Sequence, residues 1–114
     1  MINIEDYVER QMKRRAMDIA YARMLPIVVR RIVDASGNVL VNSVEFEAYN
    51  QFWFLANAYE LPIGTRITSD TNVVLIETHT NDLVEEFWGK IKIELPSSFT
   101  GSICQALFYQ VLAK

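Results

Sequence analysis

The chain contains few side chains that could do chemistry. His79 is its only histidine and Cys104 its only cysteine. A metal site needs several histidine, cysteine or carboxylate ligands that converge on one point, and no regular spacing brings these two residues together with Asp82 or Glu85. Nucleophilic catalysis would need the same histidine, and no Gly-x-Ser-x-Gly turn is present. We therefore expect His79 to be a solvated loop residue, and we expect no metal and no other cofactor.

Paired carboxylates are a second kind of candidate chemistry, because two acids on either side of a bond can cleave a glycoside. Glu85 and Glu86 are adjacent, so their side chains diverge on any regular element. Glu45 and Glu47 have the spacing of a strand and are typical of a solvent-facing side. With 14 acidic residues in the chain, such pairs are expected by chance. An enzyme is therefore a third hypothesis, in which one carboxylate in an apolar pocket moves a proton.

Aromatic residues could bind a ligand rather than react with it. The set consists of Tyr49, Trp53, Tyr59 and Trp88. Rings exposed on a β face can stack on sugars or form the centre of an interface, whereas buried rings simply form a core. If they are exposed, Trp53 and Trp88 are the stacking platforms of a carbohydrate-binding β-sandwich module. That is the second functional hypothesis.

A basic cluster over residues 10–15 could approach phosphates. Acidic residues at helical i,i+4 spacing can pair with it instead, as Asp6 can with Arg10 and Glu9 with Lys13. From residue 26 onward there are six basic residues against ten acidic ones, so the rest of the chain does not extend the basic surface. We therefore expect no nucleic-acid partner.

A change of periodicity at Pro26 divides the chain into its elements. Asn3 is the predicted N-cap, and the residues that follow repeat at helical spacing. A proline disfavours the α conformation of the residue before it, so the pattern predicts a helix over residues 1–25 and a β-rich domain over 26–114. The main apolar face of the predicted helix contains Ile4, Val8, Met12, Ile19 and Ala22. A second, weaker apolar face of the helix contains Met17, Tyr21 and Met24.

Short β-type runs separated by turn residues follow Pro26. A hairpin is predicted around Gly37, with Val33 opposite Val39 and Arg31 opposite Val41. The aromatic run 46–59 fits helix or strand, and we favour a strand over 51–56. Further strands are predicted over 65–68, 73–78, 90–95 and 103–112, with lysines and glutamate alternating with apolar residues in 90–95. The fold class is α+β: an N-terminal amphipathic helix followed by an antiparallel β-rich body, as in a small β-sandwich.

Composition limits the size and the location of the protein. At 13.2 kDa the chain forms one domain, and its hydrophobic fraction of 51% is ample for a core. No apolar run approaches the roughly 20 residues that span a bilayer. Glu5, Asp6 and Glu9 occupy the place of a signal peptide's apolar stretch. We expect no signal peptide and no membrane partner, and a cytoplasmic or particle-associated location.

The second apolar face of the predicted helix carries the functional expectation. A helix with two apolar faces can dock on its own sheet and on a neighbour, so Met17, Tyr21 and Met24 are the predicted interface. The leading hypothesis is a non-catalytic structural or assembly subunit that self-associates within a larger complex, such as a virion-type particle. Its partners would be copies of itself and other subunits.

Overall fold

The computed structural model describes residues 3–48, 51–78 and 85–114. These residues form one helix and ten strands, which confirms an α+β protein with one N-terminal helix and an antiparallel, sandwich-like β body. In chain order the elements are α1 (Ile4–Arg14), β1 (Ile19–Arg30), β2 (Ile32–Val33), β3 (Val39–Val41), β4 (Ser43–Glu47), β5 (Gln51–Asn57), β6 (Arg66–Thr68), β7 (Val73–Leu75), β8 (Glu86–Phe87), β9 (Lys90–Glu94) and β10 (Ile103–Ala113).

Two four-stranded sheets make up the body. The first sheet has the order β1-β10-β5-β8 and the second has the order β4-β9-β6-β7. Their facing sides share one core, in which Leu55 and Phe108 of the first sheet join Ile67 and Ile93 of the second. We call the side of the first sheet that faces this core its inner face, and the opposite side its outer face. Strands β2 and β3 form a separate two-stranded hairpin.

Helix α1 packs on the outer face of the first sheet. Val8 and Met12 of the helix are buried together with Phe54 of β5 and Val111 of β10. Successive strand residues alternate between faces, so Phe54 and Val111 point away from the core that Leu55 and Phe108 fill. The helix therefore completes a second core of its own protein.

The helix is shorter than the sequence pattern predicts. It begins at the predicted cap, where the Asn3 side chain accepts hydrogen bonds from the backbone N–H groups of Glu5 and Asp6 at 3.1 and 3.3 Å. It ends at Arg14, because the N–H of Met17 returns to the carbonyl of Met12 at 2.9 Å while Ala16 adopts a left-handed conformation with φ 53°. The prediction of a helix through residue 25 is therefore wrong.

Pro26 lies within strand β1 instead of ending a helix. Strand β1 is the edge of the first sheet, and the Arg31 N–H donates to the Ser102 carbonyl of the neighbouring chain segment at 2.9 Å. Alternate residues of a strand direct their backbone groups to opposite sides, so the odd-numbered residues of β1 from Tyr21 onward bond to β10, in the same way as Arg31 bonds to Ser102. The backbone of residue 26 therefore faces the open edge. A proline is tolerated there, since no N–H is needed for the ladder.

The other predicted elements agree with the structure at most positions. The strand predicted over 51–56 is β5, and the alternation over 90–95 is confirmed by the complete burial of Ile91 and Ile93. The hairpin is also confirmed, with Val33 opposite Val39. Ile32 rather than Arg31 lies opposite Val41, because the register shifts by one residue at Leu40. The predictions for Tyr49, His79 and Asp82 lie outside the described residues.

The hairpin extends the molecule along the direction of β1. Strand β1 ends opposite Ile103, the first residue of β10, and β2 begins two residues later. The protein measures 53 × 28 × 21 Å with a radius of gyration of 15.0 Å, whereas a compact chain of this length has about 13 Å. None of the helices in the described residues has the length and apolar character needed to cross a membrane.

Candidate interaction surface

The three residues of the predicted interface do not lie on one face. Met17 follows α1 and packs against the core beneath that helix. Tyr21 lies opposite Leu112 and Met24 lies opposite Tyr109 in the β1–β10 ladder. Paired residues share a face, and positions 109 and 112 of one strand point to opposite faces. The common helical face is therefore absent, because residues 19–30 form a strand. Whether Tyr21 or Met24 contacts a partner stays a prediction.

The two predicted stacking platforms are not open rings. Trp53 is only 5% exposed, and its ring packs at centroid distances of 4.9 Å from Phe46 and 5.7 Å from Phe108. Its indole N–H is buried, and no partner for it is found in the structure. Trp88 is half-buried and lies 4.6 Å from the ring of Phe52. Of the two alternatives that the sequence leaves open, Trp53 is a core residue, because the inner face on which it lies is covered by the second sheet.

One basic residue of the cluster over 10–15 is neutralised within the protein. Arg15 binds both carboxylate oxygens of Glu86 in β8 through its two Nη atoms, and its guanidinium lies 5.4 Å from the centre of the Phe52 ring. The hydrogen bond to Glu86 raises the pKa of Arg15 above its usual value. This pair ties the end of α1 to the edge of the first sheet and reduces the charge available to a phosphate. Sequence spacing gives no sign of it, since the two residues lie 71 positions apart.

The hairpin exposes aliphatic side chains on every one of its strand residues. Their exposed fractions range from 39% to 64%, with Leu40 the most exposed. An isolated two-stranded hairpin is only marginally stable in water, and neither four-stranded sheet includes it. Exposed aliphatic side chains clustered in this way are typical of an interaction site. The set consists of Ile32, Val33, Val39, Leu40 and Val41.

Asp34 holds the loop of the hairpin together. Its Oδ1 accepts hydrogen bonds from the backbone N–H groups of Asn38 at 2.8 Å and Ser36 at 2.9 Å, and its Oδ2 accepts one from the Asn38 side chain at 3.1 Å. Gly37 supplies the left-handed residue of the loop, with φ 84°. The hydrogen bonds from Asn38, the backbone one foremost, hold the pKa of Asp34 below its usual value. The ionised carboxylate therefore stabilises the loop.

The hairpin should loosen in acid. The pKa of Asp34 is lower in the folded hairpin than in the unfolded chain. The stability that its ionised carboxylate gives the hairpin is therefore complete at pH values above the pKa in the unfolded chain, about 3.9. This stability is lost as the pH falls through the pKa in the folded hairpin. We expect the backbone amide signal of Asn38 in proton–nitrogen NMR spectra to move toward its unfolded position over that range. Asp34→Ala should produce the same shift at neutral pH, and Asp18→Ala, outside the hairpin, should not. An Asn38 signal that is unchanged down to about pH 2 would contradict this role.

The end of the outer face that α1 leaves uncovered is also apolar. We call it the bare end, defined by Met24 and Val28 of β1 and Ile103 and Leu107 of β10. Met24, Val28 and Ile103 are each exposed by two fifths or more. A depression of about 500 Å³ lies here, lined by Val28, Glu60, Ile103, Cys104 and Gln105. A second depression of about 270 Å³ shares Glu60 and Gln105 with it and adds Asn57, Tyr59 and Leu107.

A potential nucleophile, the Cys104 thiol, lines the larger of these two depressions. Burial, and to a lesser degree the negative charge of Glu60, raises the pKa of the Cys104 thiol. The thiol is therefore protonated at neutral pH and is a weak nucleophile. Within the described parts of the chain, no three histidine, cysteine, aspartate or glutamate side chains are grouped as metal ligands.

The fold and its surface together define a helix-covered β-sandwich with an apolar hairpin at one end and an apolar bare end beside it. No protein-family description matches this chain. No curated protein and no solved structure is significantly similar to it.

Proposed function

We propose that this protein is a non-catalytic structural subunit that self-associates within a larger assembly, in the cytoplasm or in a particle of the virion type. The observation that supports the proposal is the hairpin, whose strand residues all expose aliphatic side chains. A short two-stranded element gains little stability from its own contacts, so a partner surface that buries these side chains stabilises it.

The size of the hairpin limits how tightly it can bind by itself. Complete burial of one aliphatic side chain contributes about 1.5–3 kcal/mol, so five half-exposed ones contribute roughly 4–8 kcal/mol. The loss of translational and rotational freedom on association costs an estimated 4–15 kcal/mol. The hairpin therefore supports association only together with a second surface, which suits a subunit that is held by several neighbours.

The two alternative functions have less support. A carbohydrate-binding module would use Trp53 and Trp88, and the burial of Trp53 removes one of these platforms. A proton-transfer enzyme would need a carboxylate with a raised pKa in an apolar pocket. Glu60 lines the depressions at the bare end, and no catalytic partner for it is evident among the described residues that line them.

Self-association can be tested at the most exposed residue of the hairpin. We expect the full chain to form oligomers whose mass, measured by light scattering, rises with concentration. Leu40→Ser should weaken this association about tenfold, because partial loss of one aliphatic contact costs roughly 1.4 kcal/mol. Leu40 is 64% exposed in the single chain, so the change should leave the fold intact.

Leu112→Ser is a matched control for that experiment. Leu112 is also an exposed leucine in a strand, and it lies opposite Tyr21, at the far end of the β1–β10 ladder from the hairpin. Its replacement should leave the association unchanged. A full chain that remains a monomer at the highest concentration reached would refute the proposed function.

A further inference from the structure

The hairpin and the bare end form one continuous surface. Arg31 lies between β1 and β2, and its N–H still donates to the Ser102 carbonyl at 2.9 Å, so the strand alternation continues through it. Ile32 therefore falls on the same side as Val28 and Arg30, which is the outer face of the first sheet. Val41 lies opposite Ile32 and shares its side. One face of the hairpin thus prolongs the bare end.

The paired part of the hairpin is shorter than the bare end. A strand rises about 3.3 Å per residue, so the bare end spans about 20 Å from Met24 to Arg30, and the hairpin spans about 7 Å from Ile32 to Asp34, where its loop begins. The hairpin of a second copy, running antiparallel to β1 of the first copy, therefore fits within the length of the first copy's bare end. The hairpin cannot fold back onto the bare end of its own chain, because it continues away from that end.

We propose that two copies of this chain bind about a two-fold axis, with the hairpin of each copy lying over the bare end of the other. This inference rests on the proposed self-association and names the surface that receives the hairpin. In this arrangement Arg30 of each copy lies near the axis, and Ile32 of one copy meets the region of Val28 in the other. Such a self-complementary contact is the commonest form of symmetric association.

Charge supports this direction of overlap. Val28 lies opposite Gln105, and Gln105 lines the same two depressions as Glu60. Arg30 of the second copy, which lies on the same face as Ile32, therefore approaches Glu60. Edge-to-edge pairing of two β1 strands is disfavoured instead, because Pro26 interrupts the open edge of the first sheet.

The apolar area is also of the right size. Side chains that are about half exposed contribute on the order of 50 Å² each, so this surface offers on the order of 400 Å² per copy. A standard interface buries about 800 Å² per partner, of which a little more than half is apolar. The contributing residues are Met24, Val28, Ile32, Val41, Tyr59, Ile103 and Leu107.

Cross-linking between two differently labelled chains tests the arrangement. Both chains carry Cys104→Ser; one also carries Gln105→Cys and the other Ile32→Cys. Gln105 and Ile32 are exposed, and far-ultraviolet circular dichroism should show that the fold is retained. Under mild oxidation, the mixture should form a covalent dimer, and each preparation separately should form at least tenfold less. A chain with Leu112→Cys in place of Gln105→Cys is the control and should not cross-link to the Ile32→Cys chain.

Three results would overturn the inference in different ways. If Ile32→Cys cross-links to itself as well as it does in the mixture, the hairpins contact each other rather than the bare ends. If no pair cross-links although light scattering shows a dimer, the copies use another surface and only this inference fails. If light scattering shows a monomer at every concentration, the proposed function fails and this inference fails with it.

Discussion

Phe108→Ala should lower the free energy of unfolding by about 3–5 kcal/mol. Phe108 is completely buried at the centre of the core between the two sheets. Its ring lies within 6.3 Å of the ring of Phe46, 5.7 Å of Trp53 and 5.9 Å of Phe87, each at an edge-to-face angle. Truncation removes all three contacts and leaves a cavity that β10, paired on both sides, cannot close. Urea unfolding followed by circular dichroism measures the loss.

Two further variants show that this loss comes from the core. Phe108→Leu keeps most of the volume and should cost roughly 1.5 kcal/mol, which leaves a folded protein if the alanine variant unfolds. Tyr59→Ala removes an aromatic ring that is half exposed at the surface, and it should cost well under half as much as Phe108→Ala. If Phe108→Ala costs no more than Tyr59→Ala, Phe108 is not the centre of the core.

Elements with a clear local pattern were predictable from sequence. Ile91 and Ile93 alternate with lysines, and this alternation identifies β9 together with the side that it buries. Asp34 and Gly37 between runs of valine and isoleucine identify the hairpin. In both places the residues that decide the structure are close neighbours in sequence, so propensity and periodicity act together there.

The end of the helix was not predictable in the same way. Ile19 and Ala22 satisfy helical spacing, and in the structure they still pack against the core beneath α1, although they do so from a strand. Residues 19–30 are held as a strand by pairing with residues 103–113, and the paired residues lie 73 to 94 positions apart in the sequence. Local spacing does not record such pairing, so the proline was interpreted as the end of a helix rather than as a residue of an edge strand.

The candidate surface likewise combines features that are local in sequence with features that depend on the tertiary arrangement. The apolar residues of the hairpin are visible in the sequence, but only the tertiary arrangement shows that neither sheet covers them. Likewise, the aromatic run allows Trp53 to be either a core residue or an exposed stacking platform. In the structure the second sheet covers Trp53, so it is a core residue. A chain that starts at Pro26 would lack half of β1, so removing residues 1–25 cannot separate the role of the helix from that of the sheet.

Met12→Ala tests the role of the helix without that complication. Met12 is buried between α1 and the outer face of the first sheet, so the change should lower the free energy of unfolding by about 2–5 kcal/mol. Lys13→Ala, at the neighbouring exposed position, should change it by less than about 0.5 kcal/mol. Urea unfolding measures both.

The self-association of the Met12→Ala protein separates two roles for α1. If the helix only completes the core of its own chain, the folded fraction of this variant should associate as tightly as the unchanged protein, because the hairpin and the bare end are intact. If α1 also carries the contact between copies, light scattering should show weaker association for Met12→Ala at a temperature where it is still folded. Because Val8 and Met12 are already covered by Phe54 and Val111, we expect the first result.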